Sequence, residues 1–115
     1  MDTRDKILSV EDVHQRLRSR SARWVSGHFD PLLAEHVRRL RDYTAPEQLL
    51  VVEVTNPAAP LLAQRARAEL VAALSMVDYV VLANGEASHE GVSDSGIRER
   101  FIEHVLRRHR QEQAG

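Results

Sequence analysis

Gln48-Leu49-Leu50-Val51-Val52-Glu53-Val54 decides the fold, because it is a nearly continuous apolar and β-branched run. A strand of a parallel sheet is covered on both faces, so its sequence is continuously apolar and does not alternate. The next residues, Asn56-Pro57-Ala58-Ala59-Pro60, are turn formers that end the run. The stretch therefore predicts a buried strand in a parallel sheet.

Helix and strand patterns alternate on both sides of this run. We expect helices over residues 10–19, from 30 to about 42, over 61–76 and from about 93, and strands over residues 23–26 and 77–82. In the third helix the expected buried stripe is Leu62, Ala66, Leu70, Ala73 and Leu74. Alternation of this kind predicts right-handed βαβ units. The fold class is α/β, a Rossmann-like α/β/α sandwich with a short parallel sheet, in one domain over residues 1–115.

The turn after the first strand is the clearest local signal. Asp30-Pro31 predicts a helix start, with Asp30 as the cap and Pro31 in the first turn, directly after a turn at Gly27. Ligands of α/β sheets bind at the carboxyl ends of the strands. Three loops are expected to meet there, over residues 27–31, 56–60 and 83–95.

Composition narrows the classes of function. The 115 residues include no cysteine, which excludes disulfides, thiolate metal sites and cysteine nucleophiles. The net charge of −1 gives no general attraction to nucleic acid or to anionic lipid. The longest clean apolar run, residues 49–52, is too short to cross a bilayer. A charged N-terminus also argues against a signal peptide, so we expect a soluble, cytoplasmic protein with no nucleic-acid or membrane partner.

Several motifs, in order, resemble the cytidylyltransferase-like nucleotidyltransferases, and most of all the adenylyltransferase domain of ADP-heptose synthase. That family typically has G-C-F-D-x-L-H-A-G-H-V at its phosphate-binding turn and I-S-S-T-x-I-R near its end. The matching segments here are Lys6-Ile7-Leu8-Ser9, Gly27-His28-Phe29-Asp30, His36-Val37, the helix and strand from Arg67 to Val81, and Val92-Ser93-Asp94-Ser95-Gly96-Ile97-Arg98.

The resemblance implies a chemistry and a set of site residues. In the family a substrate phosphate attacks the α-phosphate of a nucleoside triphosphate, and catalysis is mostly positioning and charge stabilisation. The implied ligands are ATP or CTP with Mg²⁺, and a small phosphorylated sugar or polyol. The implied catalytic residues are His36 and His28. The implied nucleotide-binding residues are Gly27, Phe29, Asp30, Arg67, Ser93, Ser95 and Arg98.

The sequence also departs from the family pattern. Leu33 replaces the first histidine of the H-x-G-H motif, and Glu35 replaces its glycine. Losing one donor to a developing charge typically costs about 10²–10³ in rate. The stretch over residues 81–92 is so short that a strand–helix unit of the family is expected to be missing. Two functions therefore stay open: nucleotidyl transfer, or binding of nucleotide or phosphate by a catalytically impaired relative or partner subunit.

Several candidate residues have a structural alternative. His28 could be an exposed turn histidine, and His36 a partly buried histidine that hydrogen-bonds to the backbone. Asp30 is expected to cap a helix, and Arg67 could be a solvated helix arginine. Ser93 and Ser95 are also typical of a helix start, whereas Arg98 would oppose the dipole of that helix unless an anion binds there.

Two further expectations concern metals and partners. His28, Asp30 and His36 match no recognised zinc spacing, so no protein metal site is expected. A sheet shortened by about one unit exposes an edge or a helix face, which favours a homodimer.

Overall fold

A computed structural model describes residues 2–84 and 90–91 of the chain. The helices are α1 (Val10–Leu17), α2 (Ala34–Asp42) and α3 (Gln64–Ala72), preceded by a 3₁₀ turn at Thr3–Lys6. The strands are β1 (Ala22–Gly27), β2 (Leu49–Val54), β3 (Tyr79–Leu82) and β4 (Glu90–Gly91).

The strands form one sheet in the order β3-β2-β1-β4, with every neighbouring pair parallel. In β1 and β2 the register runs from Ala22 opposite Leu49 to Gly27 opposite Val54. The outer edge of β3 is partly covered, since the Leu8 N–H donates to the Val80 carbonyl at 2.9 Å. The predicted parallel sheet is confirmed.

Helices cover both faces of the sheet. On one face, Val25, Val52 and Val80 pack with Leu40 of α2 and Val71 of α3. On the other face, the core contains Val13 and Leu17 of α1 with Val51 and Val81. Residues 50–54 of β2 are all buried, as the continuous apolar run predicted. The architecture is therefore the expected Rossmann-like α/β/α sandwich.

The predicted start of the second helix is wrong. Helix α2 begins at Ala34, and its cap position is Leu33, whose side chain makes no cap hydrogen bond. Asp30 does not cap α2, because its carboxylate accepts hydrogen bonds from the N–H groups of Leu61 and Leu62. Residues 30–33 precede the helix instead, with a turn at Asp30 and Pro31 and a cis peptide bond between these two residues.

The predicted buried stripe of the third helix is also wrong, except at Leu74, which is partly buried against the core. The buried residues of α3 are Arg67, Ala68, Val71 and Ala72. Leu70 is 47% exposed and Leu62 is 36% exposed, although both were expected to be buried. The physical reason is that Arg67 donates hydrogen bonds to buried backbone carbonyls, so its side of α3 faces the core. Ala68, Val71 and Ala72 lie on that same side of the helix.

The remaining differences lie at element ends. Residues 83–95 were expected to form a loop, but Glu90–Gly91 within that stretch pairs with β1. Two residues are too few to produce a periodic pattern, so this strand had no signal in the sequence. The last predicted helix, from about Ser93, lies outside the described residues. Among those residues, no helix is long and apolar enough to span a bilayer.

Candidate functional site at the carboxyl end of the sheet

The turn after β1 is shaped by close packing between Gly27 and Phe29. A Cβ atom on Gly27 would lie 2.7 Å from Cζ and 2.9 Å from Cε2 of the Phe29 ring. The ring is fully buried, and Phe29 has a φ of 50°, in the left-handed region. Only glycine therefore allows the chain to fold over this ring. Because the side chain is buried, a ligand contact of Phe29 would have to be made through its main chain.

His28 lies at the mouth of the turn, and its side chain is half-buried. Its Nδ1 is 2.8 Å from the Oγ1 of Thr55, the first residue after β2. The main chains of the same two loops are also joined, because the Thr55 N–H donates to the Gly27 carbonyl at 2.9 Å. The loop after β1 and the loop after β2 are therefore held together, with the imidazole of His28 between them.

His36 is only 2% exposed, and it stabilises the start of α2. Its Nδ1 accepts a hydrogen bond from the Leu33 N–H at 3.0 Å. The ring also meets Phe29 edge to face, with centroids 5.5 Å apart. An Nδ1 that accepts leaves Nε2 as the protonated nitrogen of the neutral ring. The structure thus gives His36 the backbone contact that the structural alternative predicted, within one turn of the candidate site.

Arg67 joins the loops from inside the protein. Its guanidinium is fully buried, and its Nη1 donates to the carbonyls of His28 at 2.8 Å and Thr55 at 2.6 Å. Its Nε donates to the Leu62 carbonyl at 3.0 Å, and its Nη2 donates to Oδ1 of Asn56. The alternative of a solvated helix arginine is therefore wrong.

The charge of Arg67 has no carboxylate partner among the residues that the structure describes. Each of its four hydrogen-bond acceptors is a neutral oxygen. A buried charge is normally paired, because removal from water costs several kcal/mol per ion. The carboxyl end of the sheet therefore contains a buried cation whose counterion the described residues do not supply.

Two further side chains fix the start of α3 against the sheet. The Asp30 carboxylate accepts from the N–H groups of Leu61 at 2.7 Å and Leu62 at 2.8 Å. The Gln64 Nε2 donates to the carbonyls of Val54 at 3.0 Å and Ala83 at 2.8 Å, at the ends of β2 and β3. Arg67, Asp30 and Gln64 thus link the turn after β1 and the loop after β2 with Ala83, the first residue after β3.

The N-terminus of α2 faces the same end of the sheet. Leu33, at the cap position, has no side-chain acceptor for the first turn, and its own N–H is bound by His36. The positive end of the helix dipole makes such a position favourable for phosphate. Glu35 lies in this turn, but its carboxylate pairs with Arg39 at 3.2 Å, one turn further along the helix. That pair offsets part of the negative charge near the helix start.

The structure brings most of the predicted site residues together. His28, Asp30 and Arg67 are linked through the loop atoms described above, and His36 contacts the same turn through Phe29. Ser93, Ser95 and Arg98 lie outside the described residues. Sequence reasoning missed Thr55, Asn56 and Gln64; the signal available for the first two was polar residues directly after a buried strand. No group of three or more histidine, aspartate or glutamate side chains within residues 2–84 and 90–91 could hold a metal ion.

Two known proteins are similar in sequence to part of this chain. No family model matches the sequence. The chain is 32% identical over 88 residues to the bifunctional protein HldE of Syntrophotalea carbinolica. The aligned segment covers 69% of this chain and 18% of that protein. The chain is also 33% identical over 89 residues to the protein of the same name in Helicobacter pylori. In this case the aligned segment covers 70% of this chain and 19% of that protein. The chain thus spans less than a fifth of these relatives. Together with the motif order, the similarity supports a nucleotidyltransferase-like domain.

Proposed function

We propose that this domain binds the phosphates of ATP or CTP at the carboxyl end of the sheet and transfers the nucleotidyl group to a phosphorylated sugar or polyol. The observation that carries the proposal is the buried guanidinium of Arg67, which has neutral acceptors only. It lies behind the turn that leads to the N-terminus of α2, where Leu33 provides no side-chain cap. A fixed cation and the positive end of a helix dipole at one place favour an anionic ligand.

The chemistry of the proposal is a displacement at phosphorus. A phosphate oxygen of the acceptor attacks the α-phosphorus of the triphosphate, the bond to the β-phosphate oxygen breaks, and pyrophosphate leaves. The α2 N–H groups and Arg67 would stabilise the negative charge that develops. His28 is half-buried beside this turn and is proposed to contact a phosphate oxygen. His36 is proposed to lie close to the same phosphate oxygens.

The residues present fit a Mg²⁺ ion held by the triphosphate better than one held by the protein. Asp30 is the carboxylate nearest the turn, and both of its oxygens accept backbone hydrogen bonds. Mg²⁺ commonly keeps several waters and binds through substrate phosphates with one or two carboxylates. When bound, the ion would neutralise phosphate charge, and the protein's own part is to position the phosphates.

A second candidate, binding without turnover, is favoured by His36. Its Nδ1 is committed to the Leu33 N–H, and the ring is almost completely buried. Leu33 itself occupies the place of the first family histidine and offers no donor. In this case the domain would bind nucleotide or phosphate, or serve as a partner subunit, and would not turn over.

Calorimetry with ATP and with CTP, each with Mg²⁺, tests nucleotidyl transfer and nucleotide binding without turnover, since both require binding. No heat at millimolar nucleotide would overturn both of these and leave only the role of a partner subunit. Release of pyrophosphate from a panel of sugar and polyol phosphates then separates them, because only the first candidate predicts it. The control is His36→Asn, whose amide oxygen can replace Nδ1 as the acceptor for Leu33. Turnover equal in the wild type and the control would contradict a catalytic role for His36.

A further inference from the structure

The side chain of Asn56 is exposed just after β2, and the buried guanidinium of Arg67 fixes its orientation. The Arg67 Nη2 donates a hydrogen bond to Oδ1 of Asn56. Because a guanidinium only donates hydrogen bonds, the side-chain atom that faces it must be the amide oxygen. The amide nitrogen of Asn56, with its two N–H donors, is therefore directed away from Arg67.

These two N–H donors have no acceptor among residues 2–84 and 90–91. The hydrogen bond from Arg67 is the one side-chain hydrogen bond of Asn56 within that part of the chain. Since the residue is exposed, water can reach the amide nitrogen. A donor that is already held in one orientation loses little conformational freedom when a ligand binds to it. The amide is thus preorganised to donate to a ligand.

The same guanidinium fixes the position of this amide relative to the turn after β1. The Arg67 Nη1 donates to the carbonyls of His28 at 2.8 Å and of Thr55 at 2.6 Å. Thr55 directly precedes Asn56, and its Oγ1 is 2.8 Å from Nδ1 of His28. The amide of Asn56 therefore lies beside the turn that contains His28, at the carboxyl ends of β1 and β2. Ligands of parallel sheets bind at this end.

Two N–H donors select a ligand group that accepts hydrogen bonds, as phosphate oxygens do. The hydrogen bond from the guanidinium to the amide oxygen polarises the amide group and strengthens its N–H donors. Arg67 itself has no exposed surface, so its direct contact with a ligand is blocked by the residues around it. The carboxylate in the turn after β1, Asp30, has both oxygens bound to N–H groups of the loop before α3. Asn56 is thus the side chain through which the buried cation can act on a phosphate.

We propose that Asn56 binds a phosphate of the nucleotide with its amide N–H groups, and that Arg67 is the positioning residue that holds this amide toward the ligand. The inference rests on the proposed function, because it requires nucleotide phosphates at the carboxyl end of the sheet. It assigns to Asn56 a role that no motif in the sequence indicates.

The direct test is the side-chain amide signal of Asn56 in the NMR spectrum of the isotope-labelled full chain. We expect this signal to shift on titration with ATP and Mg²⁺, and also with tripolyphosphate, because the two titrants share their phosphates. Shifts at the backbone amides of Gly27 and Ala34, without a shift of the Asn56 side chain, would refute the role of Asn56 and leave the proposed function standing. No shift at any of these groups would refute both.

The variant Asn56→Asp separates ligand binding from a structural role. It keeps an oxygen that accepts from Arg67, but it has no N–H donor. We expect its midpoint of urea denaturation to be equal to or above that of the wild type, and its affinity for tripolyphosphate to fall by about tenfold or more. A midpoint clearly below the wild-type value would contradict the assigned orientation of the amide. An affinity equal to that of the wild type would show that Asn56 is structural only.

The matched control for charge is Ala58→Asp. It adds the same charge at an exposed position of the same loop and leaves the amide of Asn56 in place. Because exposed charges are screened by salt, we expect this variant to weaken tripolyphosphate binding by about twofold at most. Equal weakening in the two variants would overturn the proposal, since the added charge alone would then explain the loss.

Discussion

At the carboxyl end of the sheet the charged side chains of Arg67 and Asp30 are buried and hydrogen-bonded to the loops, whereas at the amino end charges of both signs lie near water. Arg67 has only neutral acceptors and no exposure. The amino end has a shallow cleft of about 480 Å³ whose lining includes Asp2, Asp5, Arg16 and Arg20, all exposed. Opposite charges in water largely cancel each other's field. The comparison therefore shows that the buried, fixed charges lie at the carboxyl end of the sheet.

At both ends of the sheet, side chains make hydrogen bonds to backbone N–H and carbonyl groups, but the number of groups bound by each side chain differs. At the amino end, Lys6 donates to the Leu74 carbonyl at 3.1 Å, and Asp78 accepts from the Leu50 N–H at 2.8 Å. Each of these side chains serves one backbone group. Arg67 and Asp30 each serve two or more, and both are buried. The backbone at the carboxyl end is thus held by more side-chain hydrogen bonds than the backbone at the amino end.

The largest expected effect is that of Arg67→Met. The substitution leaves the carbonyls of His28, Thr55 and Leu62 without their donor, and we expect a loss of about 3–5 kcal/mol in the free energy of unfolding. The matched change at the amino end, Lys6→Met, removes one half-buried hydrogen bond and should cost about 1 kcal/mol or less. Urea denaturation of both variants measures the difference. Equal losses would contradict the contrast between the two ends.

Gly27→Ala tests the packing of the turn. The new Cβ would lie 2.7 Å from a ring that is fully buried and has no room to move, so we expect a loss of about 1–3 kcal/mol. The comparison at the amino end is Ser21→Ala, which removes an exposed contact with Gln48 and should change stability by about 0.5 kcal/mol at most. A stable Gly27→Ala protein would show that the turn can adopt another conformation.

Asp30 and Asp78 lie at opposite ends of the sheet, and a smaller difference is expected between the same substitution at the two positions. Asp30→Asn leaves only one acceptor oxygen for two N–H groups, while Asp78→Asn keeps an acceptor for its single N–H. We expect the first to cost about 1 kcal/mol more than the second. Thermal unfolding of the two variants provides the measurement. A larger loss of stability for Asp78→Asn would contradict the expectation that the carboxyl end depends more strongly on its aspartate.

The smallest effect concerns the exposed N-terminal pair. The side-chain hydrogen bond from Arg4 to Asp2 lowers the pKa of that carboxyl to about 2. Its small contribution to stability is therefore fully present above the ordinary aspartate pKa and is lost as the pH falls through about 2. An NMR titration of the Asp2 carboxyl checks this prediction. A midpoint at the ordinary value would mean that the pair does not form in solution.

Much of the fold could be predicted from the sequence, because its central strands have strong patterns. The run from Gln48 to Val54 identified β2 and its burial on both faces. The face of α3 could not be predicted, since an arginine in a helix is normally solvated and Arg67 is buried only because loop carbonyls surround it. The role of Asp30 was also hidden, because its partners are more than thirty residues away in the chain.

The location of the candidate site followed from the general rule for parallel sheets, but its contacts did not. The turn from Gly27 to Asp30 lies at the carboxyl end of β1, where that rule expects a ligand. Thr55 and Asn56 follow β2 directly, and their bonds to His28 and Arg67 depend on how the two loops approach each other. Such distances are set by the packed core and not by any local motif.

Titration of ATP with Mg²⁺ into the isotope-labelled chain, followed by backbone amide NMR, tests the central claim most directly. We predict shifts at the amides of Gly27, Ala34 and Glu35, with no change at those of Leu49 and Asp78 at the opposite end of the sheet. CTP should shift the same carboxyl-end amides, because the phosphates are shared. No shift at millimolar nucleotide, or shifts confined to the amino end, would contradict the account.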